Sequence, residues 1–157
     1  MKRFFAFFSS VILLSACSKE NDMCKYDACA IAAPASEVAQ LETYLASASI
    51  TATKHCSGMY YTIDAAGSGS APTICSAVSV NYKGMLTNGT VFDQSTAPVS
   101  FQLSGLIEAW KKGIPMIKPG GKIKLYCPPS LAYGSQANGP IPANSILVFE
   151  VELVGVF

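Results

Sequence analysis

Few residues of this chain could take a direct part in chemistry. Its 157 residues include one histidine, six cysteines and ten acidic groups. His55 stands alone beside Cys56, and no Ser/His/Asp constellation surrounds it. Cys24, Cys29, His55 and Cys56 do not match a familiar zinc spacing, so no metal site is expected. The aromatic residues are the more promising group, and the single Trp is the most informative of them. Trp110 lies in Gly105-Leu106-Ile107-Glu108-Ala109-Trp110-Lys111-Lys112-Gly113. There Leu106, Ile107, Ala109, Trp110 and Ile114 fall near helical spacing, with Glu108, Lys111 and Lys112 on the other side. The spacing predicts about two turns of helix, stopped by Gly113 and by Pro115. An indole on such a face is either ordinary core or the floor of an apolar pocket.

The elements that must position this helix come from a chain long enough for one ordinary domain. Apolar residues make up 50% and charged residues 13%, with a formal charge of +1. Lys2 and Arg3 belong to a segment expected to be removed, and Arg3 is the only arginine. Without them, nine basic residues face ten acidic ones, and the clustered cations that nucleic-acid binding needs are missing.

Lys2 and Arg3 precede an apolar run from Phe4 to Leu14, which is shorter than the ~20 residues a membrane-spanning helix requires. The run fits a secretory signal. Leu14-Ser15-Ala16-Cys17 follows directly and resembles a bacterial lipobox, which implies lipidation of Cys17 after removal of residues 1–16. Residues 17–35 are small, polar and alanine-rich, and read as a lipidated tether. Beyond Cys17, the odd set Cys24, Cys29, Cys56, Cys75 and Cys127 suits an oxidising compartment. Cys24 and Cys29 could pair locally, though other pairings remain open.

A helix is expected over residues 36–55 together with its linker. Ser36 can cap it and Glu37 suits its first turn. Val38, Leu41, Leu45 and Ala48 form one face, which could pack on the main domain or on a second copy. From residue 56 the pattern turns to strands: 59–63, 77–86, 90–93, 99–103, 122–127 and 146–154. Asn88-Gly89 signals a hairpin. Strands with one short helix predict an α+β architecture.

Five stretches, taken in order, resemble the FKBP family of peptidyl-prolyl cis-trans isomerases. They are Tyr82-Lys83-Gly84-Met85-Leu86, Asn88-Gly89-Thr90-Val91-Phe92-Asp93, Ile107-Glu108-Ala109-Trp110, Leu131-Ala132-Tyr133-Gly134, and the run Ile141 to Leu153. The resemblance covers residues 56–157, and the N-terminal layout is similar to the secreted bacterial branch. It implies a half-wrapped five-stranded antiparallel sheet around one short helix, with an N-terminal helix before it. It also implies catalytic roles for Tyr82, Phe92, Asp93, Trp110, Tyr133 and Phe149, and substrate contacts for Leu106, Ile107, Ile141 and Val99. Trp110 would floor the pocket, while the Ile107 N–H and the Tyr133 hydroxyl would donate to ligand carbonyls. Val99 stands where many members have an aromatic, and the stretch after Asp93 lacks the arginine that often partners this acid.

The function implied is rotation of X–Pro bonds in exported proteins, with no cofactor. The expected partners are proline-containing polypeptides and macrolide inhibitors of the FKBP class. The expected location is the bacterial cell envelope, lipid-anchored in the outer membrane on its periplasmic or surface face. The alternatives are a chaperone or peptide-binding module with little isomerase activity, and a lipoprotein that only docks on an envelope partner. The lipobox generates a direct expectation: Cys17→Ser moves the protein from the membrane to the soluble fraction. Equal fractionation of the mutant and the wild type would refute acylation at Cys17.

Overall fold

A computed structural model describes residues 24–157. The expected signal segment, Cys17 and the start of the expected tether lie outside the described residues. Seven strands form one antiparallel sheet: β1 Thr53–Lys54, β2 Tyr60–Ala65, β3 Ala77–Leu86, β4 Val91–Gln94, β5 Val99–Gln102, β6 Lys122–Cys127 and β7 Leu147–Val156. The order is β1-β2-β6-β7-β3-β4, with β5 also on β3. β4 pairs with Lys83–Met85 and β5 with Ala77–Val80, so the two together form one interrupted edge strand. With two-residue β1 set aside as an appendage, the sheet has the five-strand layout that the family resemblance implies.

The interruption is residues 95–98. Ser95 bridges it: its N–H donates to the Tyr82 carbonyl at 3.0 Å, and its Oγ accepts from the Tyr82 N–H at 2.8 Å. The hairpin between β3 and β4 turns at Thr87-Asn88-Gly89. Gly89 has φ +85°, a conformation that costs glycine nothing, and Leu86 N–H donates to Thr90 O across the neck.

Alternation along β6 and β7 separates two faces. Ile123, Leu125, Cys127, Leu147, Phe149, Val151 and Leu153 point into the main core, together with Val78 and Val80 of β3. The intervening residues face outward. Near one end of that outer face, Tyr126 and Val148 are buried beneath helix α1, Ala35–Ser47, whose Leu41 and Leu45 sit on them. α1 therefore packs on its own domain. Towards the other end Lys124 pairs with Glu150 at 2.9 Å and Lys122 with Glu152 at 3.7 Å.

Three local expectations are corrected. Ser36 does not cap α1: Pro34 holds the N-cap position, and its carbonyl accepts from the Glu37 and Val38 N–H groups. The Pro34 side chain has no acceptor to offer, so α1 begins without a side-chain cap. Cys24 and Cys29 do not pair with each other. Cys24 bridges to Cys75 and Cys29 to Cys56, leaving Cys127 buried as a free thiol. The expected tether is thereby shortened, because residues 24–33 form a strap held against the domain, with Ala33 N–H donating to Ser57 O at 2.8 Å.

The third correction concerns the Trp110 helix, α2, which spans only Glu108–Gly113. Gly113 does not stop it. Its backbone is helical, and the chain continues as a 3-10 turn over Ile114–Met116. Glycine is present because α2 lies almost against the sheet: a Cβ on residue 113 would come within 2.5 Å of Leu125 Cδ2. Gly113→Ala therefore has the opposite sign to an exposed helix site. Helix propensity gains about 1 kcal/mol, but overpacking costs about 1–3 kcal/mol. Denaturant unfolding should show net destabilisation with the Trp110 emission altered; unchanged or raised stability would contradict this packing.

Candidate active site

A cavity of about 150 Å³ opens on the concave side of the sheet. Each element supplies one or two of its walls. Tyr82 comes from β3, Phe92 and Asp93 from β4, Phe101 from β5, and Phe149 from β7. Leu106 and Ile107 come from the turn entering α2, Trp110 from α2 itself, and Tyr133 from the loop after β6. Gly84 allows the rings to meet, since a Cβ there would lie 2.5 Å from Phe92 Cζ and 3.0 Å from Phe149 Cε1.

The rings meet edge to face, the arrangement that aromatic quadrupoles favour. Trp110 is 5.4 Å from Tyr82, 5.5 Å from Phe149 and 6.1 Å from Phe101, while Phe92 is 5.6 Å from Phe149. The indole is almost fully buried beneath the cavity. Among the described residues, its Nε1 is the buried side-chain N or O atom that has no hydrogen-bond partner. A buried donor left unpaired costs roughly 1–3 kcal/mol, a cost that native structures tolerate mainly where function or an unseen partner requires it.

One carboxylate reaches the wall. Tyr82 Oη donates to Asp93 Oδ2 at 2.7 Å, so a neighbouring phenol orients this acid. Burial, then Asp93, pushes the Tyr82 phenol up to about 12. Burial and the Asp93 charge also raise Tyr133. Both hydroxyls therefore keep their protons near neutrality. At the N-cap of α2, the Ile107 carbonyl accepts from Trp110 and Lys111, while its own N–H donates to no backbone carbonyl among the described residues.

Eight of the residues singled out from sequence gather here: Tyr82, Phe92, Asp93, Leu106, Ile107, Trp110, Tyr133 and Phe149. Ile141 lies in an adjoining groove, which shares Phe92, Asp93 and Tyr133 with the cavity. Val99 does not line the cavity. It pairs with Val80 on the exposed edge strand, and Phe101, two residues later on the same strand face, supplies the aromatic wall. The missed signal was the period of two, which admits Phe101 wherever it admits Val99.

Other titratable groups stand apart. His55 Nδ1 lies 2.9 Å from Ser57 Oγ, and burial followed by the Lys112 charge lowers its pKa. Burial raises the Cys127 thiol. A larger groove is lined mainly by charged and polar groups that include the Lys122–Glu152 and Lys124–Glu150 pairs, with Tyr82 as its aromatic residue.

A half-wrapped antiparallel sheet encloses a short helix, with an aromatic cavity over that helix's only Trp. Comparison with known proteins identifies the class. The family described as FKBP-type peptidyl-prolyl cis-trans isomerase matches residues 69–154, and the chain belongs to it. FkpA of Escherichia coli K12 is 50% identical over 102 residues, covering 63% of this chain and 38% of that protein. Peptidyl-prolyl cis-trans isomerase Mip of Coxiella burnetii is 44% identical over 103 residues, covering 63% and 45%. The chain thus spans less than half the length of these curated relatives. The crystal structure of Escherichia coli FkpA superposes with a TM-score of 0.71 at 42% identity, covering 78% of this chain and 60% of that one. A peptidyl-prolyl isomerase structure from Pseudomonas syringae gives 0.69 at 32% identity, covering 79% and 96%.

The Tyr82–Asp93 bond is testable by itself. A double-mutant cycle with Tyr82→Phe and Asp93→Asn should give a coupling of about 0.5–1.5 kcal/mol in unfolding experiments. Additive effects would mean that the phenol does not hold the acid.

Proposed function

We propose that this chain is a peptidyl-prolyl cis-trans isomerase acting on X–Pro bonds of exported proteins. The observation that carries the reading is the aromatic cavity over Trp110. Rotation of the amide crosses a barrier of about 18–20 kcal/mol because resonance holds it planar. In the twisted state that resonance is lost and the carbonyl is less polar. A water-poor wall of Tyr82, Phe92, Phe101 and Phe149 disfavours the planar, polar amide more than the twisted one.

In this reading Trp110 floors the prolyl ring. The Ile107 N–H and the Tyr133 hydroxyl donate to peptide carbonyls and fix the chain on either side of the rotating bond. Asp93, held by Tyr82, shapes the field at the wall without moving a proton. No nucleophile is needed, and His55 and Cys127 take no part. Phe101 supports this reading over a pure binding module, because the wall that Val99 would have left open is aromatic.

Around this domain, taken as residues 56–157, the proposed organisation is a signal over residues 1–16, acylation at Cys17 and an envelope location. Residues 17–35 are proposed as the lipidated tether, of which residues 24–33 form the cross-linked strap. The helix and linker of residues 36–55 would brace the outer face of the sheet. Macrolides of the FKBP class are proposed inhibitors, entering the same cavity.

Proline-limited refolding and X–Pro peptide assays test the activity: an isomerase speeds the slow phase, whereas a chaperone raises only the yield. Asp93→Ala should lower the rate partly. Tyr133→Phe should weaken peptide binding by about 0.5–1.5 kcal/mol. Phe92→Ala should remove most activity, with folding checked alongside because such truncations cost about 3–5 kcal/mol in packed sites. The rate should be nearly flat from about pH 6 to 8, since neither cavity phenol releases its proton there and the cavity has no histidine. A bell-shaped profile in that window, or full activity in a folded Phe92→Ala/Asp93→Ala double mutant, would sink the proposed site.

A further inference from the structure

The side of α2 away from the cavity carries a polar cluster, half-buried around a fully buried lysine, that the proposed chemistry does not use. Lys112 is 2% exposed although it is a lysine on a six-residue helix. Its Nζ donates to Glu108 Oε2 at 2.9 Å and to Tyr26 Oη at 2.6 Å. Tyr26 Oη in turn donates to Glu108 Oε2 at 2.5 Å, closing a triangle. The Tyr26 ring also stands over Nζ, 5.0 Å from centroid to nitrogen. Lys111 Nζ completes the Glu108 carboxylate at 2.9 Å. Burial pushes Glu108 upward, but the bonds from Tyr26, Lys111 and Lys112 outweigh it and carry the carboxyl down to about 2.

Tyr26 reaches this helix from the far end of the chain. Two disulfides bracket it: Cys24 is fastened to Cys75 just before β3, and Cys29 to Cys56 just after β1. A buried ion pair is a poor source of net stability, because desolvating the charges offsets their attraction. It is sensitive to register, however, because any shift leaves a buried charge unpaired. The disulfides hold the strap down, and the triangle dictates where α2 lies beneath it. α2 needs such a constraint, since six residues cannot sustain a helix alone. Trp110, the cavity floor, is two residues from Lys112.

We infer that Tyr26 is a positioning residue for the isomerase reaction, fixing the Trp110 helix from behind through Glu108 and Lys112 under a strap clamped at both ends. The inference rests on the activity proposed above. It assigns to the N-terminal strap a role in the geometry of the cavity floor, beyond its role as a cross-linked extension.

The test uses the full chain. Tyr26→Phe keeps the ring over Lys112 but removes the hydroxyl from the triangle. It should lower kcat/KM by about 3- to 10-fold, chiefly in kcat, and shift the Trp110 emission at temperatures where the protein is fully folded. Lys54→Met serves as the control: it breaks an exposed pair with Glu42 on α1 and should change neither readout. Hydrogen exchange of the wild type before and after reduction by dithiothreitol gives an independent arm, in which protection of the α2 amides should fall well before that of β6 and β7. Wild-type kcat and unshifted emission in folded Tyr26→Phe would overturn the inference. Should Tyr26→Phe not fold, α2 protection that survives reduction would overturn it equally. An inactive wild type whose emission and exchange still respond to these changes would instead overturn the isomerase reading, leaving the strap–helix coupling intact.

Discussion

Everything in this domain depends on gripping a helix too short to support itself. Isolated helices need about 12–15 residues to be even marginal in water, and α2 has six. It persists because it is held on several sides. Gly113 lets its backbone sink onto Leu125 of the sheet. Tyr82, Phe101 and Phe149 meet Trp110 edge-on. Tyr26 closes over Glu108 and Lys112 from behind. The cavity is the space left where these contacts do not quite meet, so its shape follows from the position of the helix.

The sheet is arranged to serve that grip. β3 is the common rail: β7 lies along one side of it, and β4 and β5 share the other. The break between β4 and β5 coincides with Tyr82, whose backbone bonds to Ser95 instead of to a ladder partner. That splice brings Asp93 within reach of the Tyr82 hydroxyl and turns Phe101 toward Trp110. α1 covers an outer patch that β-sheet alternation would otherwise expose, and Glu37 ties it to the loop after β6 through the Ser130 N–H. That loop carries Tyr133, so helix, sheet and cavity rim are mechanically continuous.

Much of this was legible in the sequence because it rests on local signals. Strand alternation, the Asn88-Gly89 turn and the apolar face of α1 each report a period or a backbone preference. The five motifs in order hold seven of the nine residues that line the cavity, and the helical stretch before Trp110 adds Leu106. What escaped was non-local. Disulfide pairing depends on which loops the fold brings together, and Cys24 finds Cys75 across 51 residues. Gly113 looked like a helix stop because glycine often is one; only the distance to Leu125 shows it to be a point of close approach. Val99 enters through the resemblance, at a position where many members carry an aromatic, and strand alternation fixes a face but not how far along the strand the chain meets a helix. The Tyr26–Glu108–Lys112 triangle spans more than eighty residues of sequence, and on a helix map Lys112 looks simply solvated.

The burial of Lys112 bears on how a site without reactive groups can be built. In the proposed reaction, a site that favours a twisted amide would gain nothing from a strong nucleophile, so its effectiveness would rest on where apolar walls stand. Walls made of rings packed edge to face transmit displacement, since interiors are close-packed and have little slack. A small movement of Trp110 therefore alters its contacts with Tyr82, Phe101 and Phe149 together. Apolar packing alone tolerates a range of arrangements and rarely dictates a unique one. Hydrogen-bonded charges withdrawn from water do not, because each alternative arrangement leaves one of them unpaired. Placing the ion pair behind the helix, with hydrogen bonds closed by Tyr26 on a cross-linked strap, would use the strictness of charge pairing to locate the cavity's floor without adding its charges to the cavity.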